Sequence, residues 1–269
     1  MFPLTTRARA FVLALTLGAL TMPALAQSVP ADFTALQATE GSAMTPRIST
    51  AMLLSAPENA DLRALIVVPP ENARQFAGRT IAVVATDGVE EIELTATLGF
   101  FRARGATVHL IAPPRPSYPA HFGVQIPEVR ETHILTIRYM ENGGWVRFDR
   151  TIDQARAADY DAVIIPGGAW NPDTLRADQA VLGFVRSMAA ANKPVAAICH
   201  GPWVLGDAGL LQGRRATSWW SMQRDIAGAG GTFVDAPVVV DRNVITSRAP
   251  IDLPEFLRAV GEAVAARRG

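Results

Sequence analysis

A short apolar run that ends at a cysteine constrains the fold of this chain more than any other feature. Residues 195–198 carry no charge, as in a strand that is buried on both faces of a parallel sheet. Cys199-His200-Gly201-Pro202 follows at once, and proline is favoured at the first position of a helix. The pattern predicts a strand, a sharp turn and a helix with the thiol at the corner, which is the geometry of a nucleophile elbow.

Two interpretations of Cys199 compete at this point. A cysteine that follows an apolar strand is most often a small buried hydrophobic residue. A merely buried thiol, however, needs neither an elbow nor an adjacent imidazole such as that of His200. In the second interpretation the helix N-terminus favours the thiolate, so we predict a nucleophilic cysteine whose pKa lies below the ordinary value of about 8.5.

The alternation of strands and helices predicts the fold class. Buried strands are expected from Thr80 and at residues 107–111, with a helix from about Val89 to Arg104 between them. This is a βαβ unit, whose crossover should be right-handed. Because the alternation continues to an amphipathic helix near the C-terminus, we predict a doubly wound α/β domain over residues 79–269. Its sheet should be mostly parallel, with helices on both faces.

Three local signals are interpreted separately. Asp87 and Glu90, three residues apart before the first helix, have the spacing of a capping box. The apolar residues 65–68 have the pattern of a short strand. Residues 141–144, with the sequence Glu-Asn-Gly-Gly, have the composition of a hairpin turn inside an insertion over residues 113–149.

The first 26 residues have the features of an export signal. Arg7 and Arg9 precede an apolar run, and Ala24-Leu25-Ala26 has the small-residue spacing of a cleavage site. We therefore predict a periplasmic protein, free of the membrane after cleavage, in which residues 27–78 form an N-terminal extension. With one cysteine in an oxidising compartment, no disulfide can form within the chain and the thiol stays free.

Composition and histidine spacing limit the ligands that the sequence predicts. Lysine plus arginine and aspartate plus glutamate number 25 each, so there is no basic excess of the kind that favours nucleic-acid binding. His109 lies in a predicted strand and is interpreted as a packing residue, and His121 and His133 are interpreted as surface residues. No pair of them has metal-ligand spacing. We predict no metal, no other cofactor and no nucleic-acid partner.

Three turns that follow predicted strands should meet at one edge of the sheet. They are residues 87–93, which are rich in acids, the Pro-Gly-Gly turn at 166–168, and residues 199–201 with the thiol. In doubly wound sheets the sites form where the carboxyl ends of the strands lead into helices. Acidic side chains, an open backbone and a thiol are therefore expected to converge there.

These turns and two further segments resemble the motifs of the ThiJ/PfpI family. The five segments are Asp87–Leu94, Asp161–Gly168, Ala197–Pro202, Thr217-Ser218 and Thr246–Pro250. That family includes intracellular proteases, glutathione-independent glyoxalases and the parkinsonism-associated deglycase, within the class I glutamine-amidotransferase-like fold. The resemblance covers roughly residues 80–269. It implies a flavodoxin-like sandwich that assembles as a homodimer or a higher homo-oligomer.

The resemblance also implies roles for individual residues. Cys199 matches the family nucleophile, and Glu93 matches the acidic residue that contacts its sulfur. His200 matches the histidine of the protease-like branch. The backbone N–H groups of Gly168 and His200 correspond to an oxyanion hole, which needs two donors aimed at a developing negative oxygen. Glu90 shares a helix face with Glu93 by spacing, and we interpret it as the cap of the helix.

Two positions depart from the family pattern. Protease-like members place a glutamate shortly after the Gly-Gly turn to orient the histidine across a subunit interface. Here Asp173 follows with one extra residue and a shorter side chain. Trp219 stands where an aromatic hydroxyl often occurs, which should make the pocket more apolar.

Three functions remain open from the sequence. The leading hypothesis is a cysteine-dependent enzyme that acts on reactive carbonyls, similar to glutathione-independent glyoxalases and deglycases. The alternative is a peptidase or amidohydrolase that uses Cys199 with His200 on a peptide substrate. The third, of another class, is a redox-sensing or holdase-like stress protein in which the thiol is oxidised.

Overall fold

The computed structural model describes residues 57–114 and 131–267. The export signal predicted at residues 1–26, most of the extension that follows it, and His121 lie outside the described residues. They remain predictions.

A seven-stranded sheet forms the centre of the fold, in the order β11-β12-β8-β7-β1-β3-β6. Every neighbouring pair in it is parallel except β11 and β12, which form an antiparallel hairpin. A three-stranded sheet has the order β2-β4-β5, and β9 pairs with β10. The strands are Thr80–Val84 (β1), Val89–Glu90 (β2), Thr107–Ala112 (β3), His133–Arg138 (β4), Glu141–Arg147 (β5), Arg150–Thr151 (β6), Ala162–Ile165 (β7), Val195–Ile198 (β8), Arg215–Ala216 (β9), Thr232–Phe233 (β10), Val238–Asp241 (β11) and Val244–Ser247 (β12).

Helices cover both faces of the central sheet, because its strands are apolar on both sides. In β1, Ile81 and Val83 face one core, whereas Ala82 and Val84 face the other. Helices α1, α2 and α7 pack in the first core, and α4, α5 and α6 pack in the second. The helices are Ala60–Val67 (α1), Glu91–Ala103 (α2), Trp170–Leu175 (α3), Gln179–Ala190 (α4), Pro202–Asp207 (α5), Gln223–Gly228 (α6) and Leu253–Ala266 (α7).

This architecture confirms the predicted doubly wound, flavodoxin-like α/β fold. The strands predicted from Thr80, at residues 107–111 and at residues 195–198 are present, and a helix closes the domain near the C-terminus as predicted. No helix in the described part of the chain combines the length and the apolar character that a membrane crossing requires.

The strand predicted at residues 65–68 is wrong, because residues 65–67 form the end of helix α1 and Val68 is its C-cap residue. A run of four apolar residues does not distinguish a strand from a buried helix. Leu62 and Leu65 pack on the same core, and their spacing of three places them on one side of a helix.

The capping box predicted for Asp87 and Glu90 is also wrong. Helix α2 begins at Glu91, and Glu90 has an extended backbone and makes no capping hydrogen bond. The carboxylate of Asp87 instead accepts the N–H of Leu135 at 2.6 Å. Glu90 accepts the N–H of Tyr139 at 2.9 Å. Both acids therefore bind the β4–β5 hairpin rather than the helix.

The hairpin itself is confirmed, but its turn is displaced. The chain reverses at Tyr139-Met140, and the Glu-Asn-Gly-Gly segment lies inside β5. Glycine at 143 allows the backbone of β5 to lie close to Thr136 and Glu91, because a Cβ on Gly143 would overlap Thr136 Oγ1 and the carboxylate of Glu91. That carboxylate accepts the N–H of Gly144 at 3.1 Å. The contact holds the hairpin against the start of α2.

Candidate active site

Cys199 occupies the predicted elbow between β8 and α5. Its φ is +60°, a value that few residues other than glycine adopt and that costs about 1–3 kcal/mol. Two hydrogen bonds hold this conformation, from Cys199 N–H to Ser247 O at 3.1 Å and from Trp219 N–H to Cys199 O at 2.9 Å. A strained backbone that neighbouring strands and loops fix in place is typical of a functional position. The elbow prediction is confirmed.

Glu93 lies beside the thiol, as the sequence predicted. It sits in the first turn of α2 and is fully buried, and its Oε2 accepts the N–H of Gly167 at 2.6 Å. A Cβ on Gly167 would lie 2.8 Å from that oxygen and 2.9 Å from Cys199 Sγ, so the carboxyl group and the thiol both lie against the backbone of Gly167. The other oxygen, Oε1, has no hydrogen-bond partner among the described residues.

The environment of Glu93 favours its protonated form. Burial, and then the negative charge of Glu90, raise its pKa from the ordinary 4.5 to about 8, against the opposing hydrogen bonds of Gly167 N–H and Cys199. The side chain is therefore a neutral carboxylic acid at neutral pH. A buried acid with a free oxygen next to a nucleophile is well placed to move protons.

Glu90 supplies a second acid to the same cleft. Burial is the main cause that raises its pKa to about 7, and the neighbouring charge of Glu91 adds to this. The N–H of Tyr139 and the charge of Arg138 act in the opposite direction. Glu90 therefore titrates near neutrality, and its charge in turn disfavours ionisation of Glu93.

The predicted low pKa of Cys199 is wrong. Burial raises the pKa of the thiol above its ordinary value, and the charge of Glu93 raises it further. The backbone N–H groups of Gly168 and His200 donate to the sulfur and lower its pKa, but they do not overcome burial. Helix α5 has six residues and Cys199 is only 6% exposed, so a small dipole competes with a large loss of solvation. The thiol is neutral until a base removes its proton.

His200 is placed to be that base. Its Nδ1 lies 3.2 Å from Cys199 Sγ. The ring stacks on Trp219 with centroids 5.7 Å apart and meets Trp203 edge-on at 5.2 Å. Burial lowers the pKa of His200, and the negative Asp225 partly offsets this. The imidazole is thus neutral at neutral pH and can accept a proton. Direct transfer between the adjacent side chains, which spacing alone left open, is geometrically feasible.

The backbone N–H groups of Gly168 and His200, which the resemblance assigns to an oxyanion hole, both lie within hydrogen-bonding reach of the sulfur. Their role toward a substrate oxygen remains a prediction. Asn171, which sequence reasoning missed, fixes this turn from a buried position. Its Nδ2 donates to the carbonyls of Pro166 at 2.8 Å and Gly167 at 3.1 Å, and its Oδ1 accepts the N–H of Thr86 at 2.7 Å. The only sequence signal was its position in the segment after the Gly-Gly turn.

A cleft of about 330 Å³ opens over these groups. Cys199, Glu93 and His200 line it together with the predicted pocket residue Trp219. The lining residues are Glu90, Glu91, Ile92, Glu93, Ile137, Arg138, Tyr139, Gly168, Ala169, Cys199, His200, Trp219, Trp220 and Pro250. The contribution of the hairpin was not predicted, because it depends on long-range hydrogen bonds.

Asp173 does not orient His200 within one chain. It lies exposed on α3 and is not among the residues that line the cleft. The acidic charge that acts on His200 comes from Asp225 on α6, a residue that the sequence did not single out. No carboxylate in the described ranges forms a hydrogen bond with the imidazole, whose hydrogen-bond partner is the thiol of Cys199.

Neither His109 nor His133, the two other histidines in the described ranges, lines the cleft. His109 Nδ1 lies 3.2 Å from the Tyr160 hydroxyl, which confirms that it packs inside the strand. His133 is half-buried and contacts Thr132 Oγ1 at 2.8 Å. Within residues 57–114 and 131–267, no group of three or more His, Cys, Asp or Glu side chains is arranged to hold a metal ion.

Comparison with known proteins decides the family. The model of the DJ-1/PfpI family matches residues 79–263. The chain belongs to the DJ-1/PfpI family. This confirms the resemblance that the five sequence motifs carry.

Named relatives and a solved structure agree with the family. "Putative cysteine protease YraA" of Bacillus subtilis is 38% identical over 180 residues, which cover 67% of this chain and 95% of the relative. "Protein/nucleic acid deglycase 2" of Escherichia coli is 35% identical over 181 residues, 67% of this chain and 94% of the relative. The crystal structure of Drosophila melanogaster DJ-1beta superimposes with a TM-score of 0.59 at 26% identity, covering 70% of this chain and 91% of that one. These names support a DJ-1/PfpI family enzyme.

Proposed function

We propose that this protein converts α-oxoaldehydes and related reactive carbonyls into α-hydroxy acids, with Cys199 as nucleophile and no thiol cofactor. One observation carries the proposal: Glu93, protonated and fully buried, lies beside the sulfur with one carboxyl oxygen unpartnered. The deglycase names of relatives support a carbonyl substrate. The predicted export signal supports action on carbonyl compounds in the periplasm.

The first step is addition of sulfur to the aldehyde carbon. The proton of Cys199 passes to Nδ1 of His200, which lies 3.2 Å away. The aldehyde oxygen is stabilised by the N–H groups of Gly168 and His200 and takes the proton of Glu93. The product is a hemithioacetal on Cys199, with Glu93 now ionised and His200 protonated.

The second step moves hydrogen between two neighbouring carbons. The Glu93 carboxylate removes the C1 hydrogen as a proton, the electron pair forms a C1–C2 double bond, and the C2 oxygen is protonated from His200. Glu93 then returns the proton to C2 and accepts the proton of the C1 hydroxyl, so that C1 becomes the carbonyl of a thioester and Glu93 is again a neutral acid. Water hydrolyses the thioester, which releases the α-hydroxy acid and restores the Cys199 thiol. Glu93 acts in four proton transfers, whereas His200 holds one proton that water in an open cleft can also carry.

The alternative function is peptide or amide hydrolysis by Cys199 and His200. The 3.2 Å contact between Sγ and Nδ1 favours it, as does the name of the Bacillus subtilis relative. A hydrolytic histidine is normally oriented by a third polar group. In the described part of the chain, Asp225 affects His200 only through its charge. A redox-sensing thiol fits less well, because oxidation requires an exposed thiolate and Cys199 is buried and neutral.

A substrate panel tests the proposal. Purified protein without the first 26 residues is assayed on methylglyoxal, on fluorogenic peptides and on simple amides, with Cys199→Ala as control. We expect turnover of methylglyoxal to lactate without added thiol, and none by the variant. Peptide cleavage without lactate formation would establish the alternative, and no Cys199-dependent turnover of any substrate would contradict both.

A further inference from the structure

Large apolar side chains are exposed around the mouth of the cleft. Trp220 is 71% exposed and Tyr139 is 67% exposed, and both line the cleft. Met140 and Ile251, at 86% and 52%, directly follow the lining residues Tyr139 and Pro250 in the chain. Soluble proteins rarely leave such side chains grouped unless the group binds something. We name Tyr139, Trp219 and Trp220 the aromatic rim.

The aromatic rim is continuous with the reacting groups. Trp219 stacks on the imidazole of His200, with a 28° angle between the rings. Trp220 lies next along the same wall, its ring centroid 6.3 Å from that of Trp219 and its plane tilted by 46°. Two aromatic faces at this separation and angle present a surface on which a further ring can pack. Because Cys199, Trp219 and Trp220 line the same cleft, the substituent of a substrate bound to Cys199 has this surface within the same cavity.

The cleft is larger and more apolar than the smallest substrate requires. Its volume of about 330 Å³ falls within the range of sites that hold drug-sized ligands. The carbonyl carbons of methylglyoxal would occupy the polar end at Cys199, and its methyl group would leave the rim uncovered. Charge does not favour an anionic substituent, because Arg138 is paired with Glu91 at 2.8 Å and the acid Glu90 lines the same cleft.

We propose that the aromatic rim selects α-oxoaldehydes that carry an aromatic or other bulky uncharged substituent, with Trp220 as the main specificity-determining residue. This inference rests on the proposed function, since it assumes that carbonyl compounds react at Cys199. The substituent gains affinity by covering exposed indole and phenol rings. In an apolar pocket each additional methylene group is worth roughly 10- to 200-fold in selectivity.

The test compares kcat/KM for phenylglyoxal and methylglyoxal from initial rates. For the wild type we expect phenylglyoxal to be preferred by at least about tenfold. Trp220→Ala should reduce the preference to below about threefold. Trp170→Ala is the matched control, because Trp170 is 64% exposed near the cleft without lining it and should keep the wild-type preference.

The outcomes separate this inference from the function on which it rests. Equal kcat/KM values for the two aldehydes in the wild type, or an unchanged preference in Trp220→Ala, overturn the inference and leave the proposed function intact. Absence of Cys199-dependent turnover of either aldehyde overturns the proposed function. Sedimentation velocity of the wild type and Trp220→Ala measures the oligomeric state. If Trp220→Ala lowers the oligomeric state while the preference for phenylglyoxal stays unchanged, the aromatic rim is an interface between copies and the inference fails.

Discussion

Replacing Glu93 by glutamine should change how the stability of the protein depends on pH. Glutamine keeps the shape of the protonated acid, and its Oε1 can still accept the N–H of Gly167, which Glu93 Oε2 accepts at 2.6 Å in the wild type. What the substitution removes is the titration of a fully buried carboxyl group. The two proteins should therefore differ in pH response more than in structure.

The sign and size of this pH dependence follow from the linkage between proton binding and folding. The folded protein holds the proton on Glu93 up to a pH of about 8, whereas an unfolded chain releases it near 4.5. Between these values the folded state binds more protons, so the free energy of unfolding falls as pH rises. At 1.36 kcal/mol per pH unit the full loss is about 5 kcal/mol at most. The stabilisation that comes from the proton on Glu93 is fully present below pH 4.5 and is lost above the pKa of Glu93 in the folded protein. Glu90 acts in the same direction, but it is retained in the variant and cancels in the comparison.

Urea unfolding at intervals from pH 5 to pH 8 measures this difference. The wild type should lose several kcal/mol more than Glu93→Gln over that range. Glu255→Gln, which replaces an exposed carboxylate on α7, is the control and should keep the wild-type pH dependence. Equal pH dependence of the wild type and Glu93→Gln would refute a neutral, buried Glu93.

Three further predictions test the site and the processing of the chain. The alkylation rate of Cys199 should rise with pH through a midpoint above about 8.5. Glu93→Gln should lower that midpoint, because the substitution removes a negative charge next to the thiolate. A wild-type midpoint below 8.5 would show that the helix dipole prevails over burial. Gly167→Ala should place a methyl group 2.5 Å from the Cys199 Cβ. We expect it to lower the free energy of unfolding by about 1–3 kcal/mol, measured by chemical denaturation, and to abolish Cys199-dependent turnover. A stable and active variant would contradict the described packing. Protein recovered from the periplasm should begin at Gln27 on N-terminal sequencing, whereas an intact Met1 on a cytosolic protein would contradict export.

The parts of the fold that the sequence predicted depend on strong local signals. The uncharged strand before Cys199, the Pro at the start of α5 and the regular alternation of β and α segments each report local structure directly. The convergence of Glu93, Gly168 and Cys199 then follows from the rule that sites form at the carboxyl edge of a parallel sheet. This topology brings together residues that are far apart in sequence.

The errors arose where distant groups decide the outcome. Asp87 and Glu90 had the spacing of a cap, yet the nearby hairpin offers them the N–H groups of Leu135 and Tyr139. The effect of Asp225 on His200 connects helix α6 with the turn before α5, and no sequence motif links these two segments. For Cys199, sequence showed the helix N-terminus that lowers a thiol pKa but not the burial that raises it. Which of two such opposing effects is larger can be decided only from the packed structure, because burial depends on residues that are distant in sequence.

The central claim is that Glu93, rather than His200, carries the proton transfers between substrate carbons. The most direct measurement is kcat on a single α-oxoaldehyde for Glu93→Gln and for His200→Ala, at neutral pH and with saturating substrate. Glu93→Gln should lower kcat by at least about 100-fold, the scale of a lost general acid–base group, and His200→Ala should cost less because water can carry the thiol proton. An equal or larger loss for His200→Ala, together with peptide cleavage by the wild type, would contradict the account and identify the protein as a hydrolase.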